Sequence, residues 1–254
     1  MNAELNELIE LWVYLSGSPL AGLTLTLVAY CVGYWLYVRA GLNPLANPVL
    51  IAVLLIAGVL TVTGTPYKTY FDGAQFVHFL LGPAVVGLSV PLARQWASVR
   101  RLAIPIAGAL LVGSLVAVAS VVSIAWALGA SSSTLLSLVP KSVTAPIAMG
   151  IAEKIGGLPA LAAVFAVLTG ITGAALGKYV FDALGIRDMR ARGFALGIAA
   201  HGIGTARAFQ VNLEAGTFAG LAFGLHGVLA AILFPLLYAA GVRLGWLHVM
   251  AGSP

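Results

Sequence analysis

Two polar passages interrupt an otherwise apolar stretch of this chain: Pro140-Lys141-Ser142-Val143-Thr144-Ala145-Pro146 and His201-Gly202-Ile203-Gly204-Thr205-Ala206-Arg207. Each sets a charged or titratable side chain beside residues that break helices, and each lies within apolar sequence. A full charge at membrane depth costs on the order of 3 kcal/mol, so one found there marks a functional site. Backbone leaves a helix at that depth only where protein or a watered cavity satisfies its freed N–H and C=O groups.

Composition places the chain in a membrane. Of 254 residues, 61% are hydrophobic and 8% charged, against about 25% charged in a soluble domain. The mean hydropathy is +1.03. The apolar runs do not alternate with polar residues, which excludes a β-barrel. The fold class expected is an all-α polytopic membrane protein. Cys31 is the single cysteine, so no disulfide framework forms within the chain. The net charge of +5 is ordinary loop bias and gives no reason to propose nucleic acid as a partner. The acidic start, with Glu4, Glu7 and Glu10, is unlike the basic head of a cleavable signal.

Working outward, about six spans are expected: 20–38, 49–62, 73–92, 103–128, 158–183 and 218–240. Runs of about 20 residues suffice to cross as helix, and 49–62 is short for that purpose. Residues 1–18 read as an interfacial amphipathic helix with Leu5, Leu8, Trp12 and Leu15 on one stripe. Residues 19–241 form a single transmembrane domain, broken at 131–156 and 191–210, and 242–254 is a short tail. Gly82-Pro83 is expected to kink the third span.

Arginines cluster at Arg94, Arg100 and Arg101 and again at Arg187, Arg190 and Arg192. Lys and Arg in short loops mark the cytoplasmic side. With both clusters inside, each broken passage starts and ends on one side, as a re-entrant hairpin. Broken helices that cross fully are the alternative. A shift of 60 residues lays Lys141 on His201 and Gly113 on Gly173, in keeping with the repeated units of many transporters.

The chemistry of the breaks favours an anion. Ser142 and Thr144 are suited to cap a half-helix running on through Ile155, and Thr205 to cap another. Gly202 and Gly204 permit unwinding. Half-helix starts aim free N–H groups and a positive dipole end into the break, Lys141 adds a charge, and Arg207 offers a fork that fits a carboxylate. The substrate-binding set is therefore Lys141, Ser142, Thr144, His201, Gly202, Gly204, Thr205 and Arg207. Imidazole titrates near neutral pH, which makes His201 the proton-relay candidate. The blander readings are that Lys141 snorkels from a shallow loop, that Arg207 pairs with Glu214 or Glu153 to hold the hairpins together, and that His201 bonds freed backbone. His78 and His226 lie in spans without metal-like spacing and read as packing groups or as groups that support the site from behind. No nucleotide loop, zinc pattern or carboxylate dyad is present, so no enzyme activity, metal or cofactor is expected.

Leu80-Leu81-Gly82-Pro83-Ala84, Pro140 to Met149 (PKSVTAPIAM), Gly156-Gly157 and the His201–Arg207 string together resemble the LrgB/CidB family over about residues 20–235. Gly202 departs from the Ala of many members, which should loosen the second break. The resemblance implies two functions. Some members are antiholin-like regulators of murein hydrolase export and lysis, acting with a small LrgA/CidA-type membrane subunit. Others move pyruvate, and a plastid relative moves glycolate and glycerate. The cationic breaks favour the second: a carrier of small 2-keto or 2-hydroxy monocarboxylates, multi-pass in the inner membrane and expected to be a homo-oligomer.

Overall fold

The structure, a computed structural model, describes residues 19–43, 45–80, 83, 93 and 96–243. The expected amphipathic helix at 1–18, the Gly82 part of the kink, Arg94 and most of the tail lie outside the described residues. The chain divides into two compact units, Met1–Gly87 and Leu88–Pro254, and each is taken by itself.

Among its described residues the first unit holds three helices: α1 (Pro19–Arg39), α2 (Pro48–Thr63) and α3 (Tyr67–Phe79). Asn47 starts α2, its side-chain oxygen accepting from the N–H groups of Val49 and Leu50 at 2.8 and 3.2 Å. Gly64 ends it in the left-handed conformation at φ 65°. Its 16 residues reach about 24 Å, short of a full span, as the sequence suggests. α3 begins six residues before the expected span at 73. Tyr67 to Asp72 are polar enough to read as loop, yet they form a turn and a half that packs on α1. There the Tyr70 hydroxyl meets Thr26 Oγ1 at 2.8 Å, and the Tyr70 carbonyl fills the space a side chain on Gly22 would need.

The second unit comprises α4 (Trp96–Arg101), α5 (Ala103–Ala127), α6 (Ser132–Leu138), α7 (Ala145–Ile155), α8 (Pro159–Ala183), α9 (Met189–Val211) and α10 (Leu213–Arg243). Its first core gathers Val143, Ala148, Ile151, Ala152 and Ile155 with Ala162, Ala166, Ala230 and Phe234. A second joins Leu196, Ala200 and Ala208 to Ala215 and Ala219. Small residues dominate both, as where helices approach closely without a hydrophobic drive between them. By contrast α5 is apolar all round, with Ile104, Val112, Val116, Ile124 and Leu128 more than half exposed. Away from the buried Ser114, so broad an exposed apolar surface on one helix suits lipid.

Four helices among the described residues are long and apolar enough to cross a membrane: Leu20–Arg39, Ala103–Ala127, Pro159–Ala183 and Leu213–Arg243. The chain is thus an all-helical membrane protein. α10 starts five residues earlier than expected, because Asn212 caps it: its Oδ1 accepts from the N–H groups of Glu214 and Ala215 at 2.8 and 3.1 Å.

Two elements double back. After α6 the chain runs through tight turns at 139–143, and α7 then returns, so that Leu158 N–H donates to Ser137 Oγ at 2.7 Å. In α9 the return is sharper. A Cβ on Gly204 would lie 2.8 Å from the Leu196 carbonyl oxygen, whereas eight residues of straight helix span about 12 Å. α9 is therefore two arms, 189–200 and 202–211, hinged at His201.

Candidate functional site

The hinge of α9 is one residue wide. His201 has φ 41° and ψ −132° inside an otherwise helical segment, a conformation that a side chain resists. The sequence places this flexibility on Gly202 and Gly204, and here the structure differs. Neither glycine has positive φ. Gly204 is needed for closeness, since a Cβ there would fall 2.6 Å from that of Ala200. Gly202 is needed for neither, because a Cβ on it meets nothing within 4 Å.

Surrounding contacts hold His201 in that conformation. Its ring is buried, and Nε2 donates to the Ala166 carbonyl of α8 at 2.8 Å. Gly170 of α8 leaves room for the ring. The Thr205 hydroxyl, itself buried, donates to the His201 carbonyl at 2.8 Å. The capping role expected of Thr205 is thus replaced by a bond back across one turn, which satisfies an acceptor that the hinge leaves loose. His201 bonds backbone as the blander reading has it, but backbone of a neighbouring helix.

At the other fold-back, Lys141 and Ser142 occupy the turn and Thr144 occupies the N-cap of α7. Thr144 makes no capping bond with its side chain, so the first turn of α7 keeps its donors open. Lys141 is half-buried and its Nζ donates to Ser142 Oγ at 3.1 Å; Ser142 is buried. Snorkelling from a shallow loop does not describe this lysine.

α10 brings a fourth group that sequence reading assigns to packing. His226 is 1% exposed. Its Nδ1 lies 2.8 Å from Ser114 Oγ of α5, and its Nε2 has no hydrogen-bond partner. The turn that holds Lys141 packs beside it: Val143 shares a core with Ala230 and Phe234 of α10, and a Cβ on Gly227 would lie 3.2 Å from Ile147 Cδ1. The cluster of Lys141, Ser142, His201 and His226 thus draws on the turn before α7, the hinge of α9 and the middle of α10. No local motif could have revealed His226, since Ser114 is 112 residues away.

Arg207 is not brought to Lys141 by any contact described. It lines a cavity of about 110 Å³ with Lys178 of α8 and Arg192 of the first α9 arm. Its Nη1 reaches Gln210 Oε1 at 3.4 Å. Glu214, one expected partner, lies instead 3.8 Å from Arg190. Arg192 is bound to Asp182 at 2.5 Å and donates to the Ile186 carbonyl at 2.6 Å. Lys178, Arg192 and Arg207 thus line one small cavity, with Arg192 paired to Asp182. A roomier cavity of about 380 Å³ between α5, α6 and α10 is lined by Val118, Val122, Leu135, Val139, Phe234 and their neighbours, with no charge among them. It offers an anion nothing.

The profile of the LrgB-like family matches residues 26–240. Among curated proteins, the uncharacterised protein YxaC of Bacillus subtilis is 37% identical over 84% of this chain and 92% of its own length. The holin-like protein CidB of Staphylococcus epidermidis is 32% identical over 84% and 93%, and the antiholin-like protein LrgB of Bacillus mycoides 28% over 86% and 95%. No solved structure matches. With a family match over most of its length and relatives above 30% identity across more than four fifths of it, this chain belongs to the LrgB-like family.

Proposed function

We propose that the chain carries small 2-keto or 2-hydroxy monocarboxylates across the inner membrane, with the two fold-backs acting as re-entrant hairpins. One observation supports this above the rest: Lys141 and Ser142 stand at the turn of one fold-back and the buried His201 at the hinge of the other, with the buried His226 on α10, which packs against both elements. An ammonium beside uncapped helix N–H groups neutralises a carboxylate. The cations of Lys178, Arg192 and Arg207 raise the local concentration of anions at that cavity. Lys141 and His201, which the 60-residue shift superposes, each sit at the turn of a fold-back that follows a long helix. That supports a repeated unit.

The names of the relatives favour a second reading, in which the protein is a holin-like or antiholin-like component working with a small LrgA/CidA-type subunit or with further copies of itself. The charges would then set helix pairing. The two readings part on one variant. Purified protein in liposomes takes up labelled pyruvate or glycolate, and Lys141→Ala lowers uptake at least about a hundredfold while inserting normally, as removal of the ion binding the carboxylate demands. If uptake across such acids equals that of empty liposomes while Lys141→Ala weakens assembly, the second reading stands alone.

A further inference from the structure

Among the described residues, His226 is a buried polar group whose bonding is half finished. Its ring sits 1% exposed with one nitrogen engaged and the other, Nε2, without a partner. A buried polar atom left unpaired destabilises the fold, and in native proteins it calls for an explanation.

The engaged side settles what the open side is. Ser114 is itself fully buried and has one hydroxyl hydrogen, which goes to the Leu110 carbonyl one turn back at 2.6 Å. Toward His226 Nδ1, 2.8 Å away, the serine oxygen can only accept. Nδ1 therefore carries the ring hydrogen of the neutral imidazole, and Nε2 is a bare lone pair. The groups around it are donors of the opposite kind: Lys141 Nζ brings three hydrogens and no lone pair, and His201 spends its Nε2 hydrogen on Ala166.

We propose that His226 is a specificity-determining residue whose Nε2 accepts the hydroxyl hydrogen of a 2-hydroxycarboxylate, with Ser114 as the positioning residue that fixes its tautomer. This rests on the carrier reading and narrows it. Beside a carboxylate held by Lys141, a 2-hydroxyl oxygen both accepts from the site's donors and donates to Nε2. A 2-keto oxygen only accepts, and leaves Nε2 buried and unpaired. Sites built to bond a hydroxyl reject analogues that lack its hydrogen far more strongly than apolar pockets do.

The test is ligand-dependent thermal stabilisation of the full chain in detergent, comparing each enantiomer of lactate with pyruvate, which share one carbon skeleton. At least one lactate should stabilise at a concentration roughly tenfold or more below that for pyruvate, as the loss of one buried hydrogen bond requires. In Ser114→Ala the ring is free to move its hydrogen to Nε2, and the preference should fall toward unity or reverse, while a merely structural serine would weaken both acids alike. His226→Gln, whose amide can turn either oxygen or nitrogen to the ligand, should likewise bind both. Equal stabilisation by lactate and pyruvate in the unaltered protein overturns the inference and leaves the carrier reading intact. No stabilisation by either acid overturns both.

Discussion

His201 holds a strained backbone conformation although Gly202 and Gly204 follow it closely in the same helix, and contacts with its side chain and carbonyl explain why. Ala166 fixes the ring and Thr205 fixes the carbonyl, so the strain, of order 1–3 kcal/mol, is imposed from outside. That the second passage breaks was legible in the sequence; which residue bends was not, because glycine signals permission and tertiary contacts decide its use. His226 was illegible for a similar reason: a lone histidine in an apolar run looks like packing until Ser114 is seen beside it. Asp188 shows the opposite case, a residue whose role is local. Its carboxylate caps α9 through the N–H groups of Arg190 and Ala191 at 2.8 and 3.1 Å and pairs with the Arg190 side chain. The Arg190 guanidinium foremost, then the Ala191 N–H, hold its carboxyl down to about 2 from 3.8. Because the folded value is depressed, the stabilisation is present above pH 3.8 and is lost as pH falls toward 2. Asp188→Ala should therefore cost about 1 kcal/mol at neutral pH as a lost cap. Asp188→Asn, which keeps the cap, should melt slightly below the unaltered protein at neutral pH. That small gap should close on acidification through this window, and also with added salt, since the pair is exposed. A gap that widened toward pH 2 would contradict the assignment.

Helix ends were readable wherever a residue marks them chemically. Asn47-Pro48 opens α2, Gly64 closes it and Gly156 closes α7 at φ 82°, each from a signal visible in the sequence. The early starts of α3 and α10 were missed because polar residues at 67–72 and Glu214 looked like loop, although helices that emerge from an apolar layer keep their turn in polar sequence. How closely elements pack is set by glycines that sequence can list but not rank. Gly193 and Gly197 let the first arm of α9 lie against α10, where the carbonyls of Ala215 and Ala219 occupy the places of their missing Cβ atoms. Gly193→Ala must push two helices apart, and should cost about 2 kcal/mol or more in thermal unfolding. Gly202→Ala meets open space at ordinary φ and should be neutral or stabilising by about 0.5–1 kcal/mol from helix propensity. If the two substitutions ranked in the opposite order, the close arm-to-helix contact would be wrong.

At the scale of the molecule, the class and the two interruptions follow from composition and spacing, since full charges amid apolar runs have few physical explanations. What the spacing could not supply is which charges share a place: Lys141 bonds Ser142 at the first turn, while Arg207 lines a separate cavity with Lys178 and Arg192. The path of the chain through the bilayer follows from the fold-backs and can be tested directly. α5 and α8 are each 25 residues, about 37 Å and enough to cross. If the element between them enters and leaves on one side, Ser132 and Leu158 share a face of the membrane. The doubling back of α9 then returns Gln210 to the face of Arg187, which the arginine cluster assigns to the cytoplasm. Single cysteines at these four positions, in a background where Cys31 is replaced by serine, should react with an impermeant maleimide in two pairs. Ser132→Cys and Leu158→Cys should label from the outer face of intact cells, and Arg187→Cys and Gln210→Cys only in inverted vesicles. Labelling of Ser132→Cys and Leu158→Cys from opposite faces would mean that the broken elements cross fully, and a pair of opposed hairpins could not then enclose the Lys141–His226 cluster.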